Sequence, residues 1–522
     1  MEATKGNGKT IAIIGGGIAG LTAGCYAQMN GYQATLFESH RLPGGLCTSW
    51  KKGDDYTIDG CIQWLVGVAP HSGFHQGWME LGALQGKTIV HHDEYLTFEE
   101  ADGRSVTLFS DVDKLEAHLL DLSPRDIGPI HWMCETIRLL AKMDRLDFGW
   151  ADLLLAPLHL FRAARAFLTP IGRFARKFKD PFLRKVFDLG QNMPSMPIGI
   201  VLMTLAWHHN RNGGYPVGGS LAFAQSIERR LLGLGGRIQY ESKVAGILVK
   251  WDEAVGVKLA DGQEYYFDRV ISACDAYQTF DVLLGGHYNY EKLYRRFEGL
   301  KPFNSMVLVS YGVRRELAGE PRSLMLYLDE PLEVGGKPQV RMHVRHYAYD
   351  PTLAPKGRTI LQVGFETDYD YWKKLHSDPV IYEAEKHALS RAVLERLEKR
   401  FPGITGQVEV GDVATPTTFE RYTHNWRGSI EGWLPTLGSF FSPLPKTLKS
   451  LKKLYFAGHW VQPGGGLPSC LMTGKGIVKK ICKEDGRPFV TSLPKAILPS
   501  PKTAGPEEGS PSLAEEVFAG RD

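Results

Sequence analysis

Short apolar runs and helix-sized segments alternate at the beginning of the chain. Residues 11–14 form an apolar run that predicts a strand, and residues 34–37 form a second one, which ends at Glu38. The residues between them predict a helix that ends near Asn30-Gly31, because this pair readily takes the left-handed conformation at a helix C-terminus. The order strand–helix–strand is typical of a parallel α/β sheet.

Three glycines, Gly15, Gly17 and Gly20, give the spacing G-x-G-x-x-G at the predicted turn from strand to helix. The first permits the tight turn, the second lets a pyrophosphate approach the backbone, and the third packs the helix against the strand. Glu38 follows at the distance where a carboxylate accepts hydrogen bonds from an adenosine ribose, and its charge disfavours the 2′-phosphate of NADP. The unit predicts a dinucleotide site, with a glycine-rich turn that binds nothing as the alternative.

A second α/β pattern occupies the middle of the chain. Ser220 is a candidate N-cap for a helix that runs to about Leu232. Apolar segments that predict strands follow at residues 237–240, 244–250, 255–259, 264–268 and 270–273. The hairpin signal Asp261-Gly262 joins the third segment to the fourth. This pattern is either a second piece of the nucleotide-binding domain or an independent α+β subdomain.

A third piece lies near the C-terminus. Residues 454–457 predict a strand that ends at Gly458, and Gly464-Gly465-Gly466 lead into a predicted helix over residues 468–481. Such a helix N-terminus, with glycine backbone before it, can face an electron-rich ligand edge. A flexible glycine loop is the alternative.

Composition narrows the class of protein. The 522 residues carry a formal net charge of +3, which gives no reason to expect a nucleic acid partner. The seven cysteines are scattered without a C-x-x-C pair, as in proteins of a reducing compartment, so a cytoplasmic protein is expected. The apolar run at 198–207 is about half a bilayer span, and the proline-rich residues 488–522 predict a disordered tail.

One amphipathic stretch lies within residues 148–190. The apolar side chains of one predicted helical face are Phe161, Ala164, Phe167, Leu168, Ile171, Phe174, Ala175 and Phe178. The basic side chains of the other face are Arg162, Arg165, Arg173, Arg176 and Lys177. Pro170 and Gly172 predict a kink or a break. Both a helix lying on an anionic membrane surface and a core helix with a solvated basic face fit this pattern.

Histidines supply no metal signature. His71 and His75, His91-His92 and His208-His209 lie outside any H-E-x-x-H pattern, so no metal is predicted. His459, next to Gly458, is either an acid–base group or a structural hydrogen-bonding residue, and no catalytic residue is assigned.

Further motifs carry a family resemblance. Residues 40–50, HRLPGGLCTSW, place the pair Gly44-Gly45 after the acidic residue, which resembles the flavoprotein superfamily of amine oxidases, protoporphyrinogen oxidases and phytoene desaturases. That superfamily usually has Arg directly after the pair, whereas this chain has Leu46, and the nearest cation is Arg41. YPVGGS at 215–220 and YFAGHWVQPGGGLP at 455–468 resemble the bacterial phytoene desaturase family, which includes carotenoid isomerases and retinol saturases.

The resemblance implies an α/β fold with a Rossmann-like FAD-binding domain of the GR2 flavoprotein type, built from discontinuous segments. Residues 1–70, 215–285 and 450–487 would form this domain. Residues 71–214 would form a helical region that faces the substrate and the membrane. Together with residues 286–449 they would make up an α+β substrate domain. The FAD contacts implied in this way are Gly15, Gly17, Ile18, Ala19, Gly20, Glu38, Ser39, Gly44, Gly45, Leu46, Val244, Gly458, Gly466 and Leu467.

The implied function is FAD-dependent oxidation or reduction of carbon–carbon bonds in an apolar polyene or isoprenoid lipid, carotenoid-like or retinoid-like. Because the single G-x-G-x-x-G is taken by FAD, electrons would pass to or from a diffusible partner such as a quinone or oxygen. Three alternatives remain: cis–trans isomerisation of a polyene on reduced flavin, an amine-oxidase-like enzyme, and a non-enzymatic prenyl-binding protein. An apolar substrate also favours peripheral contact with the inner face of a membrane.

Overall fold

Strands and helices alternate along the computed structural model, which describes residues 8–145, 155–188, 196–288, 300–435 and 444–494. The strands in these ranges are β1 (Thr10–Ile14), β2 (Gln33–Phe37), β3 (Ser49–Lys52), β4 (Tyr56–Asp59), β5 (Leu65–Val66), β6 (Ile89–Val90), β7 (Glu94–Glu99), β8 (Ser105–Phe109), β9 (Gly213–Pro216), β10 (Arg237–Gln239), β11 (Val244–Lys250), β12 (Glu253–Leu259), β13 (Glu264–Tyr266), β14 (Arg269–Ser272), β15 (Met306–Val313), β16 (Ser323–Val334), β17 (Lys337–His346), β18 (Thr359–Glu366), β19 (Val408–Ala414) and β20 (Leu454–Phe456). The α-helices are α1 (Ile18–Met29), α2 (Gly73–Glu80), α3 (Val112–Leu122), α4 (Ile127–Arg145), α5 (Ala156–Leu168), α6 (Ile171–Ala175), α7 (Pro181–Phe187), α8 (Ile198–His209), α9 (Gly219–Gly233), α10 (Tyr369–Leu375), α11 (Pro379–Arg400), α12 (Pro416–Thr423) and α13 (Gly466–Glu484).

A parallel sheet joins strands from three distant parts of the chain. Its order is β10-β2-β1-β14-β20, and every neighbouring pair is parallel. The helices α1, α9 and α13 pack on one side of it, and the apolar side chains between them are fully buried. The antiparallel sheet β11-β12-β13 contributes to the core on the other side. The strands predicted at 11–14, 34–37, 270–273 and 454–457 are confirmed to within a residue or two.

Ser220 does not cap the middle helix, so this part of the prediction is wrong. The N-cap position of α9 is Gly218, and Ser220 lies inside the first turn. Its hydroxyl donates to Asp59 Oδ1 at 2.6 Å, and its amide donates to Asp59 Oδ2 at 2.6 Å. Inside the first turn the hydroxyl is no longer placed to accept from the free helix amides, and it donates instead to a buried carboxylate, which is a strong acceptor.

A seven-stranded sheet forms the second layer of the molecule. Its order is β19-β15-β18-β17-β16-β7-β8, and only β16 and β7 pair in parallel among these neighbours. The side chains of Val309, Val363 and Leu324 on one face pack against Leu389 and other residues of α11. The opposite face carries a polar row at Ser310, Gln362, Arg345 and Ser323, which the strand register places side by side. This sheet therefore combines strands that precede residue 215 in the chain, β7 and β8, with strands that follow residue 285, β15 to β19.

The amphipathic stretch is broken, and its two halves differ. The first helix, α5, ends at Leu168, and α6 begins at Ile171 after Pro170. In the second half, Phe174 and Phe178 belong to the buried core while Arg173, Arg176 and Lys177 are exposed, which fits the core helix with a solvated basic face. In the first half, Phe161 remains 64% exposed. Among the described helices, none has both the length and the apolar character that crossing a bilayer requires.

Candidate active site

A large cavity lies at the carboxyl ends of the parallel strands. Ile14, Phe37 and Ala273 come at or just after the ends of β1, β2 and β14, and all three line the cavity. Ligands of open α/β sheets bind at this end of the strands. The position of the cavity therefore fits a dinucleotide.

The sequence-predicted contacts gather at this cavity. The predicted contacts that belong to its lining are Gly15, Gly17, Ile18, Ala19, Glu38, Ser39, Gly44, Gly45, Leu46, Val244, Gly458, Gly466 and Leu467. Gly20 lies outside the lining because it faces the turn: a Cβ atom there would lie 2.0 Å from the Gly15 carbonyl oxygen. Gly20 therefore lets α1 pack closely against β1 and the turn that follows it.

Two helix N-termini open into the cavity. Gly17 precedes α1 and Gly465 precedes α13, and no side chain caps either end. Ile18 and Gly466, the first residues of these helices, line the cavity. Uncapped first-turn amides and the positive end of the helix dipole attract negative charge, so the cavity has two regions suited to anionic parts of a ligand.

Glu38 fixes the glycine turn as well as facing the cavity. Its Oε2 accepts from the Gly16 amide at 2.6 Å, and its Oε1 accepts from the His40 amide at 2.8 Å. The Ser39 hydroxyl also donates to Oε1, at 3.2 Å. A carboxylate oxygen has about two lone-pair sites, so Oε2 keeps room for another donor. A ribose hydroxyl can therefore bond to Glu38 without breaking the turn.

The cation near the glycine pair is not the one expected from sequence. Leu46 lines the cavity, as an Arg at that position would, whereas Arg41 is exposed and lies outside the lining. Lys243, directly before Val244, is among the lining residues. It comes from a strand edge about 200 positions from the glycine pair, so no local motif indicated it.

Three titratable residues in the lining were not assigned from sequence. Burial raises the pKa of Asp275 to about 7, and its carboxylate accepts from the amides of Gln278 and Trp426, each at 2.9 Å. Burial alone raises the pKa of Glu431 to about 7. Burial lowers the pKa of His459 to about 4, so this imidazole is neutral at pH 7.

Glu431 lies against the glycine turn before α13. A Cβ atom at Gly465 would be 3.1 Å from Glu431 Oε2, and one at Gly466 would be 3.7 Å from Oε1. Among the described residues, no ion pair or hydrogen bond engages this carboxylate, in contrast to Asp275. Glu431 belongs to an irregular segment without periodicity, and its only sequence signal is an acidic residue between apolar neighbours.

The histidine pairs do not form a metal centre in the described part of the chain. No group of three or more potential metal-ligating side chains occurs there. His71 instead contacts Asp144, with Nε2 and Oδ2 3.2 Å apart.

The donor set fits FAD on physical grounds. The backbone carries no side chain at Gly15, Gly17, Gly44 and Gly45. This leaves space for a pyrophosphate next to the uncapped N-terminus of α1. A Cβ atom at Gly17 would meet no described atom closer than 3.8 Å, so the fold itself does not need a glycine there. That space is what a cofactor close to the backbone requires.

Comparison with known proteins agrees with this assignment. Residues 18–482 match the family of flavin containing amine oxidoreductases. A chloroplastic prolycopene isomerase of Arabidopsis thaliana is 25% identical over 505 residues, which cover 91% of this chain and 82% of the relative. A neurosporene-forming phytoene desaturase of Rhodobacter capsulatus is 26% identical over 534 residues, covering 92% and 94%. The crystal structure of an oxidoreductase from Methanosarcina mazei superposes with a TM-score of 0.59 at 18% identity, covering 90% of this chain and 100% of that one.

The chain therefore belongs to the flavin containing amine oxidoreductase family. It has the mixed α/β fold of that family. It is an FAD-dependent oxidoreductase, as the glycine motifs predicted.

Proposed function

We propose that the protein acts on carbon–carbon bonds of an apolar polyene or isoprenoid lipid, carotenoid-like or retinoid-like. The similarity over about nine-tenths of the chain to a prolycopene isomerase and a phytoene desaturase carries this proposal. YPVGGS and YFAGHWVQPGGGLP support the same branch of the family.

The parallel sheet would be a Rossmann-like FAD-binding domain assembled from residues 1–70, 215–285 and 450–487. Gly15, Gly17 and the N-terminus of α1 would hold the pyrophosphate, and Glu38 the adenosine ribose. Val244 would flank the adenine. The N-terminus of α13 would face the isoalloxazine, where its dipole stabilises negative charge. When bound, FAD supplies the acceptor or donor of a hydride.

Glu431 is the side chain of this site best suited to move a proton. Its pKa of about 7 gives comparable amounts of the acid and the carboxylate at neutral pH, as acid–base catalysis requires. Its position against Gly465 and Gly466 puts it beside the turn that would face the isoalloxazine. Neutral His459 can accept a hydrogen bond but is a poor proton donor at pH 7.

An apolar substrate has to leave a membrane, and one surface of the protein suits this step. The exposed apolar patch consists of large side chains on and just before α5, namely Leu155, Leu158, Leu160, Phe161 and Leu168. Exposed cations lie next to it along the chain, namely Arg165, Arg173, Arg176 and Lys177. Apolar side chains flanked by cations match an anionic lipid surface, so we assign the patch to peripheral membrane contact.

Mass analysis of a polyene after incubation with the FAD-loaded protein tests the function. A loss of two hydrogens with oxidised enzyme indicates desaturation, which needs a quinone or oxygen as electron acceptor. A gain of two with reduced enzyme indicates saturation, and an unchanged mass with altered retention indicates isomerisation. No change in any polyene or isoprenoid in either state would refute the substrate class.

Flotation with liposomes tests the membrane contact. We expect the protein to float with vesicles that contain anionic lipid, and the double variant Leu160→Asn, Phe161→Asn to lose this binding. The matched control is Val380→Asn, because Val380 is also an exposed apolar residue but lies at the start of α11. Equal flotation of all three proteins would refute the assignment of the patch.

A further inference from the structure

A group of polar side chains, two of them buried and four half-buried, lies on the polar face of the seven-stranded sheet. We name it the arginine cluster and define it by Arg322, Arg345, His92, His343, Tyr347 and Tyr349. Arg345 is only 8% exposed, and its neighbours across the strands are Gln362 on β18 and Ser323 on β16. Gly364 lies beside the Arg345 guanidinium, since a Cβ atom there would be 3.8 Å from Nη2 and 3.0 Å from Met306 Cε.

Neither guanidinium of the cluster has an acidic partner among the described residues. Arg322 Nη2 donates to the Tyr95 carbonyl oxygen at 3.3 Å, while the buried Nε atoms of Arg322 and Arg345 have no acceptor at all. The nearby carboxylates Asp59 and Asp350 are engaged elsewhere: Asp59 accepts from Ser220 and Ser49, and Asp350 accepts from Tyr215 and the Gly218 amide.

The other members of the cluster supply no negative charge. Burial, with the cations of Arg345 and Arg322, lowers the pKa of His343 to about 3. Burial and Arg322 lower the pKa of His92 to about 2. Burial raises the pKa of Tyr349, whose ring lies 4.5 Å from that of His92. Both histidines and the tyrosine are neutral at pH 7, so no member of the cluster supplies an anion in contact with either guanidinium.

The cluster adjoins the wall of the flavin cavity. Gln362, the cross-strand neighbour of Arg345, donates from Nε2 to the Asp59 carbonyl oxygen at 2.8 Å. Two residues further along, Cys61 lines the cavity. The charge of Asp59 adds to the rise that burial gives the pKa of Tyr347. The arginine cluster therefore lies beside the segment that carries Cys61 to the cavity wall, while the two arginines themselves are not lining residues of that cavity.

Two buried Nε–H groups without acceptors are unfavourable, and a pure hydrocarbon has no atom that could accept from them. Guanidinium groups match the geometry of an oxyanion, which would accept from the orphaned N–H groups. We propose that Arg345 and Arg322 bind a carboxylate at one end of the apolar substrate, so that the natural substrate is a polyene or isoprenoid acid. This inference rests on the proposed function and specifies its substrate class.

Binding of three retinoids with the same chain tests the inference. The FAD-loaded protein is titrated with retinoic acid, retinol and methyl retinoate, and the change in flavin absorbance gives each Kd. We expect the acid to bind at least about tenfold more tightly than the ester, because hydrogen bonds to charged groups contribute that much or more. Arg345→Gln and Arg322→Gln should each remove this preference and leave the Kd of the ester unchanged.

Control variants separate loss of the subsite from loss of the fold. Arg391→Gln removes an exposed cation from α11 and should keep the preference of the wild type. Arg345→Lys keeps the charge and should retain part of it. The FAD content of each variant is measured alongside. Should a glutamine variant lose FAD, the ratio of acid to ester affinity in the wild type still decides the matter.

Each outcome has a distinct meaning. Equal binding of acid and ester, with turnover of either one, would overturn the carboxylate site and leave the polyene function standing. Failure of all three retinoids to bind, with no polyene altered by the enzyme, would count against the proposed function. Thermal stabilisation by acetate or inorganic phosphate that is lost in Arg345→Gln, without preference for retinoic acid, would identify a free-anion site and overturn the inference.

Discussion

Replacing Gly17 by Ala should remove FAD binding while the FAD-free protein stays fully folded. Gly17 has φ −66° and ψ 174°, which alanine adopts without strain. The added methyl group would meet no described protein atom closer than 3.8 Å, the Gly44 carbonyl oxygen. It would instead occupy the space between the two glycine turns, which is the space assigned to the pyrophosphate.

The expected magnitudes follow from this geometry. Alanine at a compatible glycine position stabilises a fold by about 0.4–1 kcal/mol, since it restricts the unfolded chain. Each charge-assisted hydrogen bond that the displaced pyrophosphate loses is worth about 1.5–3 kcal/mol. The loss of one such bond weakens binding by roughly tenfold to a hundredfold, and the loss of two abolishes it at ordinary concentrations.

Two measurements check this prediction. Urea unfolding of the FAD-free protein gives the stability, and titration of the FAD-free protein with FAD, followed by flavin absorbance, gives the affinity. Gly20→Ala is the matched control: its Cβ would lie 2.0 Å from the Gly15 carbonyl oxygen, so this variant should be destabilised before any cofactor is added. If Gly17→Ala binds FAD with an affinity within twofold of wild type, the placement of the pyrophosphate is refuted.

Three further predictions concern the parts that hold the site together. Asp59→Asn should lower the free energy of unfolding by about 1–3 kcal/mol in urea, because an amide cannot accept from both Ser220 donors and Ser49. Trp78→Ala should lower it by about 3–5 kcal/mol in the same assay, since Trp78 is fully buried against Phe223. Burial raises the pKa of Glu431 to about 7 in the folded protein, so the FAD-free wild type should lose stability as the pH rises from about 4.5 to above 7. Glu431→Gln should remove the part of that loss that comes from Glu431, while Asp275, whose pKa burial also raises to about 7, keeps its own part. Identical pH profiles of stability for the two proteins would contradict the buried position of the Glu431 carboxylate.

The glycine motifs were predictable because their function is local. Gly15, Gly17 and Gly20 lie within six residues, and the turn they form needs only the strand and helix that flank it. The second pair, Gly44-Gly45, follows within a short loop, and Gly17 and Gly44 pair through a backbone bridge. Because these glycines are so close in sequence, few alternative backbone conformations can bring their turns together.

Residues that reach the cavity from distant loops could not be predicted in this way. Glu431, Asp275 and Lys243 face it only because the fold brings together segments that are far apart in the sequence, and none belongs to a periodic pattern. Ser220 was misassigned for the same reason: its acceptor, Asp59, is 161 positions away. The parallel pairing of β16 with β7 likewise joins residues more than two hundred positions apart.

The direction of the reaction depends on more than the proton-transfer group. A desaturation needs a base to take a proton from the substrate, whereas a saturation or a protonation-driven isomerisation needs an acid. With a pKa of about 7, Glu431 can serve as either, so it does not select one of these reactions. The helix N-terminus at Gly466 attracts negative charge beside the same turn. With the isoalloxazine placed there as proposed, this end of the helix would stabilise the reduced, anionic form of FAD, and Glu431 would support proton transfer in either direction.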